Sequence, residues 1–156
     1  MIKKIIICSI FGLLFACGFT PMLKDFDSSN LNIQKVSYAG NNNLIYLAKN
    51  YLNLEETKNR EGLIVSFSIT ESSVSTAQNT SGIVTEEQIT LYISINVLND
   101  KNVNLLTDNV STSRKLPISN NLSSDQETRR IEKNNLMQNL TQKIKFKLQL
   151  ISRQQK

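Results

Sequence analysis

The chain has 156 residues, with 18 Lys and Arg against 13 Asp and Glu for a formal charge of +5, and it contains neither histidine nor tryptophan. The missing histidine removes Ser-His-Asp triads, imidazole bases and histidine metal ligands together, and two cysteines, Cys8 and Cys17, cannot build a four-ligand zinc site. Hydrophobic residues make up 40% of the chain, enough for one packed core in a chain of one-domain length.

The N-terminus reads as a processing signal. Lys3 and Lys4 precede an apolar run from Ile5 to Phe15. That is about eleven residues, where a spanning helix needs about twenty, and it has the shape of a secretory signal peptide. Leu14-Phe15-Ala16-Cys17 resembles the lipobox of bacterial lipoproteins, in which the cysteine is acylated and becomes the first mature residue. On that resemblance residues 1–16 are the signal, Cys17 carries covalent lipid, and Gly18 in place of Asp directs the product to the outer membrane. Cys8 leaves with the signal, so no disulfide remains. Residues 17–30, with Pro21 and the polar run from Asp25 to Asn30, read as the lipidated tether, and 31–156 as a single folded domain.

The domain begins with a strand over Leu31–Tyr38. Gly40 and Asn41-Asn42-Asn43 then break the chain, and one of these asparagines caps a helix whose apolar face is Leu44, Leu47, Ala48 and Tyr51, ending near Leu54. Two strong strands follow. Leu63, Val65, Phe67 and Ile69 alternate with polar or exposed-face positions, as do Ile89, Leu91, Ile93, Ile95 and Val97, so each strand has one buried and one wetter face. Between them the Ser/Thr-rich stretch Glu71–Val84 reads as a long connection. Asn99-Asp100-Lys101-Asn102 marks a turn, and Val103–Leu116 a further strand ending before Pro117. Ser124 and Glu127 form a capping box with Asp125 in the first turn, opening a helix along Ile131, Met137, Leu140, Ile144, Leu148 and Ile151. Inside it Lys143–Leu150 alternates like a strand; the cap, the length and the upstream stripe favour helix. The fold class is therefore α+β, in the order strand-helix-strand-strand-strand-helix. It predicts a mainly antiparallel four-stranded sheet with two helices on one face.

No arrangement of residues reads as catalytic, so the expected class is a non-enzyme without cofactor or metal, apart from the covalent lipid on Cys17. Glu55-Glu56 and Glu86-Glu87 read as solvated carboxylates, the latter pair pointing to opposite faces of a strand. Charge is uneven after processing: residues 17–100 hold five bases against nine acids, residues 101–156 eleven against four. A basic part of a secreted, membrane-tethered chain meets lipid or lipopolysaccharide phosphates rather than nucleic acid. Arg114, Lys115, Arg129 and Arg130 are the candidate phosphate contacts.

Cys17-Gly18-Phe19-Thr20-Pro21-Met22 resembles the mature start of the LptE family of lipopolysaccharide-assembly lipoproteins, and the Lys143–Leu150 stretch looks like the basic-apolar tail of its alphaproteobacterial members. The resemblance implies a partner, the outer-membrane barrel LptD, which such a protein plugs and helps to assemble. It also implies lipopolysaccharide as a ligand and a role in its transfer to the outer leaflet. The rival expectation is a pilotin-like or barrel-assembly scaffold of the outer membrane without lipopolysaccharide binding.

Overall fold

The structure, a computed structural model, describes residues 31–57 and 62–154. The signal peptide, Cys17 and the tether lie outside the described residues. Six elements follow one another: β1 (Ile33–Gly40), α1 (Asn42–Leu52), β2 (Leu63–Gln78), β3 (Val84–Leu98), β4 (Asn104–Pro117) and α2 (Leu122–Gln154). The sheet order is β1-β2-β3-β4. β1 runs parallel to β2, with α1 as the crossover, while β2, β3 and β4 form an antiparallel meander. The expected class and element order hold.

Period-two patterning decides which face closes. Val65, Phe67 and Ile69 of β2 lie opposite Val97, Ile95 and Ile93 of β3, and all are buried in one cluster with Leu44, Ala48 and Leu52 of α1 and Met137, Leu140, Ile144 and Leu148 of α2. Both helices therefore lie on the same face of the sheet, side by side. The Lys143–Leu150 stretch is helical: Ile144 and Leu148 are buried one turn apart, so the 3.6 period captures the core and the apparent two-residue alternation does not.

Local chemistry sets the boundaries. Asn41 caps α1, its Oδ1 accepting from the Asn43 amide at 2.9 Å, and Asn53 ends the helix in the left-handed region at φ 47°. The helix thus stops at Leu52, two residues short of the expectation. Gly40 closes β1 at φ +135°, and a Cβ there would meet the Ile69 carbonyl oxygen at 2.2 Å, so only glycine fits this approach of β1 to β2. The two hairpins share one construction. The Oδ1 atoms of Asn79 and Asn99 accept the amides two and four residues on, and Gly82 and Asn102 supply the positive φ that returns the chain.

Two expectations change. Glu71–Gln78 is not a connection but the second half of β2, which pairs with β3 to the Asn79 turn. Ser and Thr suit an extended chain, and here their hydroxyls are used across the ladder: Thr76 Oγ1 donates to Glu86 Oε1 at 2.6 Å. The last helix starts at Leu122 rather than after Ser124. Asn121 Oδ1 accepts from the Ser124 amide at 3.2 Å, Asp125 turns back to the Ser119 amide and hydroxyl at 2.9 and 2.7 Å, and Glu127 forks with Arg130 instead of closing a capping box. Nor is Glu56 simply solvated: its Oε1 accepts the Val36 amide at 2.8 Å along the outer edge of β1, beside the Thr57 amide bound to the Ile33 carbonyl oxygen at 2.6 Å.

Candidate functional site

Ion pairs tie the early turns of α2, from Arg129 to Lys133, to the sheet. β2, β3 and β4 run beneath them, and each supplies a partner. Lys133 pairs with Glu71 of β2 at 2.6 Å, Arg129 with Glu87 of β3, and Glu132 with Arg114 of β4 at 3.5 Å. The Arg129–Glu87 pair is a two-pronged fork, with Nη2 donating to Oε2 at 2.9 Å beside the Nε–Oε1 contact. Further along, Lys147 pairs with Asp108 of β4.

Glu87 is the residue that the sequence reading placed wrongly. It is buried, and the signal for this was present: Glu87 continues the odd-numbered series Ile89, Leu91, Ile93 that faces the helices. Glu86 does point to the opposite face as expected, where it accepts from Lys115 Nζ at 3.0 Å and from Thr76.

The four candidate phosphate contacts are therefore distributed, not gathered. Arg114 and Lys115 are neighbours on a strand and face opposite sides of the sheet, the first toward α2 and the second with Glu86 on the helix-free side. Arg130 pairs within its own helix with Glu127, at 2.8 and 2.7 Å. Arg129, Arg130 and Lys133 do come together, on one wall of a groove between α1 and α2 of about 510 Å³, with Asn41, Tyr46 and Leu47 on the other. Among the described residues no group of three Asp, Glu, Cys or His side chains is placed to hold a metal.

The opposite face of the sheet carries the second feature. No helix covers it. Its rows run Ser66-Asn96-Thr107, Ser68-Ser94-Asn109, Thr70-Tyr92-Ser111 and Ser72-Thr90-Ser113 across β2, β3 and β4. Every one of these side chains is polar or aromatic and none carries charge; charge returns at the ends of the face, at Lys35 of β1 beside Ile64 and at the Glu86–Lys115 pair. In a chain in which 20% of residues are charged, a purely solvated face would be sprinkled with Lys and Glu. Hydroxyls and amides instead bond one another across strands, as Ser94 Oγ does with Asn109 Oδ1 at 2.5 Å.

The ion pairs leave a mark on titration. The Arg129 guanidinium holds the Glu87 carboxyl below the usual carboxylate range against the opposing effect of burial, and Ser73 adds to this. Thr76 and Lys115 lower Glu86, Lys147 and the Asn109 amide lower Asp108, and the Ser119 amide and hydroxyl lower Asp125. Burial, reinforced by Glu56, pushes the Tyr38 phenol up to about 12. A carboxylate with a lowered folded pKa stabilises the fold fully above its unfolded value and loses that contribution as pH falls through the folded one. Acid titration should therefore destabilise the wild type progressively below about pH 4.3, the ordinary Glu value. Glu87→Gln should flatten that limb in urea melts taken at each pH, and an unchanged slope would remove Glu87 from it. At neutral pH Arg129→Ala should cost about 2 kcal/mol. This lies below the range of about 3–5 kcal/mol for breaking a fully buried pair, because the Arg129 side chain is itself 35% exposed and water screens the pair.

The fold is that of solved bacterial lipoproteins. Rare lipoprotein B from Shewanella oneidensis superposes with a TM-score of 0.55 at 11% identity, covering 78% of this chain and 96% of that one. An uncharacterized lipoprotein B from Nitrosomonas europaea gives 0.54 at 16% identity over 74% and 81% of the two chains. A candidate lipoprotein from Caulobacter crescentus gives 0.60 at 12% identity over 83% and 96%. No family model matches the sequence, and no curated protein matches it. At these identities the likeness is one of fold.

Proposed function

We propose that this chain is an outer-membrane lipoprotein, anchored through acylated Cys17, that seats inside an LptD-type barrel. There it supports the barrel's assembly and assists lipopolysaccharide transfer to the outer leaflet. The observation that carries the reading is the helix-free, uncharged sheet face. The lumen of an outer-membrane barrel is polar, and hydroxyl and amide groups can trade bonds with such a wall without stranding a charge away from water. The lipobox-like Leu14–Cys17, the LptE-like start Cys17–Met22 and the fold shared with bacterial lipoproteins support it. Affinity purification of the mature protein from its own outer membranes should recover a barrel of LptD type in stoichiometric amount. Recovery of no such barrel, or of a different one, would overturn the reading.

A second reading, a pilotin-like or barrel-assembly scaffold without lipopolysaccharide contact, is favoured by one observation: all four candidate cations already have carboxylate partners. Arg114 and Lys115 separate the two readings, because their side chains are 64% and 59% exposed and exposed pairs contribute little. Arg114→Asp with Lys115→Asp should lower thermal stability only slightly, as the new carboxylates face Glu132 and Glu86, while weakening lipopolysaccharide binding about tenfold. The two single variants report on opposite faces of the sheet. Undiminished binding by the double variant would favour the scaffold.

A further inference from the structure

The second half of α2 has two faces, and only one is used by the core. Leu140, Ile144, Leu148 and Ile151 are buried. Lys143, Phe146, Leu150 and Arg153 recur at i, i+3, i+7 and i+10 and share the opposite side. Phe146 and Leu150 are 37% and 44% exposed, and Lys143 and Arg153 flank them in the exposed class. From Thr141 to Gln154 the helix contains no acidic residue. Lys147 is engaged by Asp108, which leaves the basic character of the outer face to Lys143 and Arg153.

The position of this face matters as much as its composition. α2 starts over the beginning of β3, where Arg129 meets Glu87, and passes the beginning of β4, where Lys147 meets Asp108. Beyond Asp108 it runs toward the end of the sheet where Asn104 and Leu106 of β4, Leu98 and Val97 of β3, Leu63 of β2 and Ile33 of β1 lie. The exposed face thus lies on the part of the fold that runs toward Leu31, where the chain enters the domain. Residues 17–30 separate Leu31 from Cys17, a span of at most about 50 Å when fully extended. An acyl anchor on Cys17 therefore lets this end of the domain, the one nearest the tether, reach the membrane surface.

We propose that Lys143, Phe146, Leu150 and Arg153 form a membrane-docking face for anionic phospholipid headgroups. Phe146 and Leu150 enter the headgroup–acyl boundary, and Lys143 and Arg153 meet the phosphates on either side. The anchor then acts as the first of two membrane signals and the helix face as the second, fixing the orientation of the domain relative to the bilayer as well as its distance. The docking belongs to the chain on the bilayer before a barrel encloses it; the setting rests on the proposed lipoprotein reading, but the contact itself does not require acylation.

The test uses the mature chain with Cys17→Ala, so that no lipid contributes, and co-sedimentation with vesicles. It should bind vesicles of phosphatidylethanolamine and phosphatidylglycerol well above vesicles of phosphatidylcholine alone, and lose that binding in high salt. Lys143→Glu with Arg153→Glu should weaken binding at least about tenfold, and Phe146→Ser with Leu150→Ser should do the same at low salt, both variants melting with the parent. No preference for anionic vesicles, or equal binding by parent and both variants, would overturn the proposal. So would a dimer abolished by Phe146→Ser and Leu150→Ser in a chain that ignores vesicles, because the occupant would then be a second copy. Mass analysis of wild-type Cys17 reports separately on acylation, so failure of the anchor and failure of the docking face are distinguishable.

Discussion

Leu140→Ala should lower the unfolding free energy by about 3–4 kcal/mol, measured by urea denaturation at neutral pH. Leu140 is completely buried at the middle of α2, between Met137 and Ile144 in the one cluster that joins both helices to the sheet. Truncating it removes the transfer free energy of three carbons and leaves a void between two rigid layers that close over it only in part. The midpoint should fall while the denaturant slope stays the same, because the surface exposed on unfolding hardly changes. A loss below about 1 kcal/mol would mean that α2 does not pack on the sheet as described.

The second large effect concerns partnership rather than stability. Thr70 and Ser111 lie in one row of the uncharged face, separated by Tyr92 on β3, and both are exposed. Thr70→Glu with Ser111→Glu places two carboxylates on that face about two strand spacings, or roughly 10 Å, apart. In water the cost should be within about 0.5 kcal/mol. Against a barrel wall each charge must be stripped of water without a partner, at about 2–5 kcal/mol in all, so recovery of the barrel complex should fall at least about thirtyfold. Normal recovery of the complex would mean that the barrel meets another surface, and the groove between α1 and α2 would be the next to test.

Much of this molecule is legible in its residues because one simple rule governs it. Alternation in β2 and β3 names the buried side chains one by one, and those residues form the observed core. The same rule misleads in Lys143–Leu150, where Lys at every second position imitates a strand; burial of Ile144 and Leu148 on one helical stripe resolves it. The Ser/Thr-rich run after Ile69 was hidden for a different reason. Its stability comes from pairing with β3 and from hydroxyl–carboxylate bonds across the ladder, neither of which leaves a hydrophobic signature. The asparagine caps and turns were visible as residue types, whereas the choice of Asn121 over Ser124 depends on where β4 releases the chain.

The candidate site divides in the same way. Sequence alone determined the charge asymmetry, the absence of histidine chemistry, the lipobox-like cysteine and the two-faced character of the strands, because each is a property of composition or short spacing. Only the tertiary structure decided that Arg129 and Lys133 of α2 pair with Glu87 of β3 and Glu71 of β2, and Arg114 of β4 with Glu132 of α2, since the partners lie between 18 and 62 positions apart in the chain. It alone decided that both helices take the same sheet face and leave the other as an uncharged surface. Period two states that a strand has two faces; which one is covered depends on where the crossover and the last helix pack, and that is settled by long-range burial.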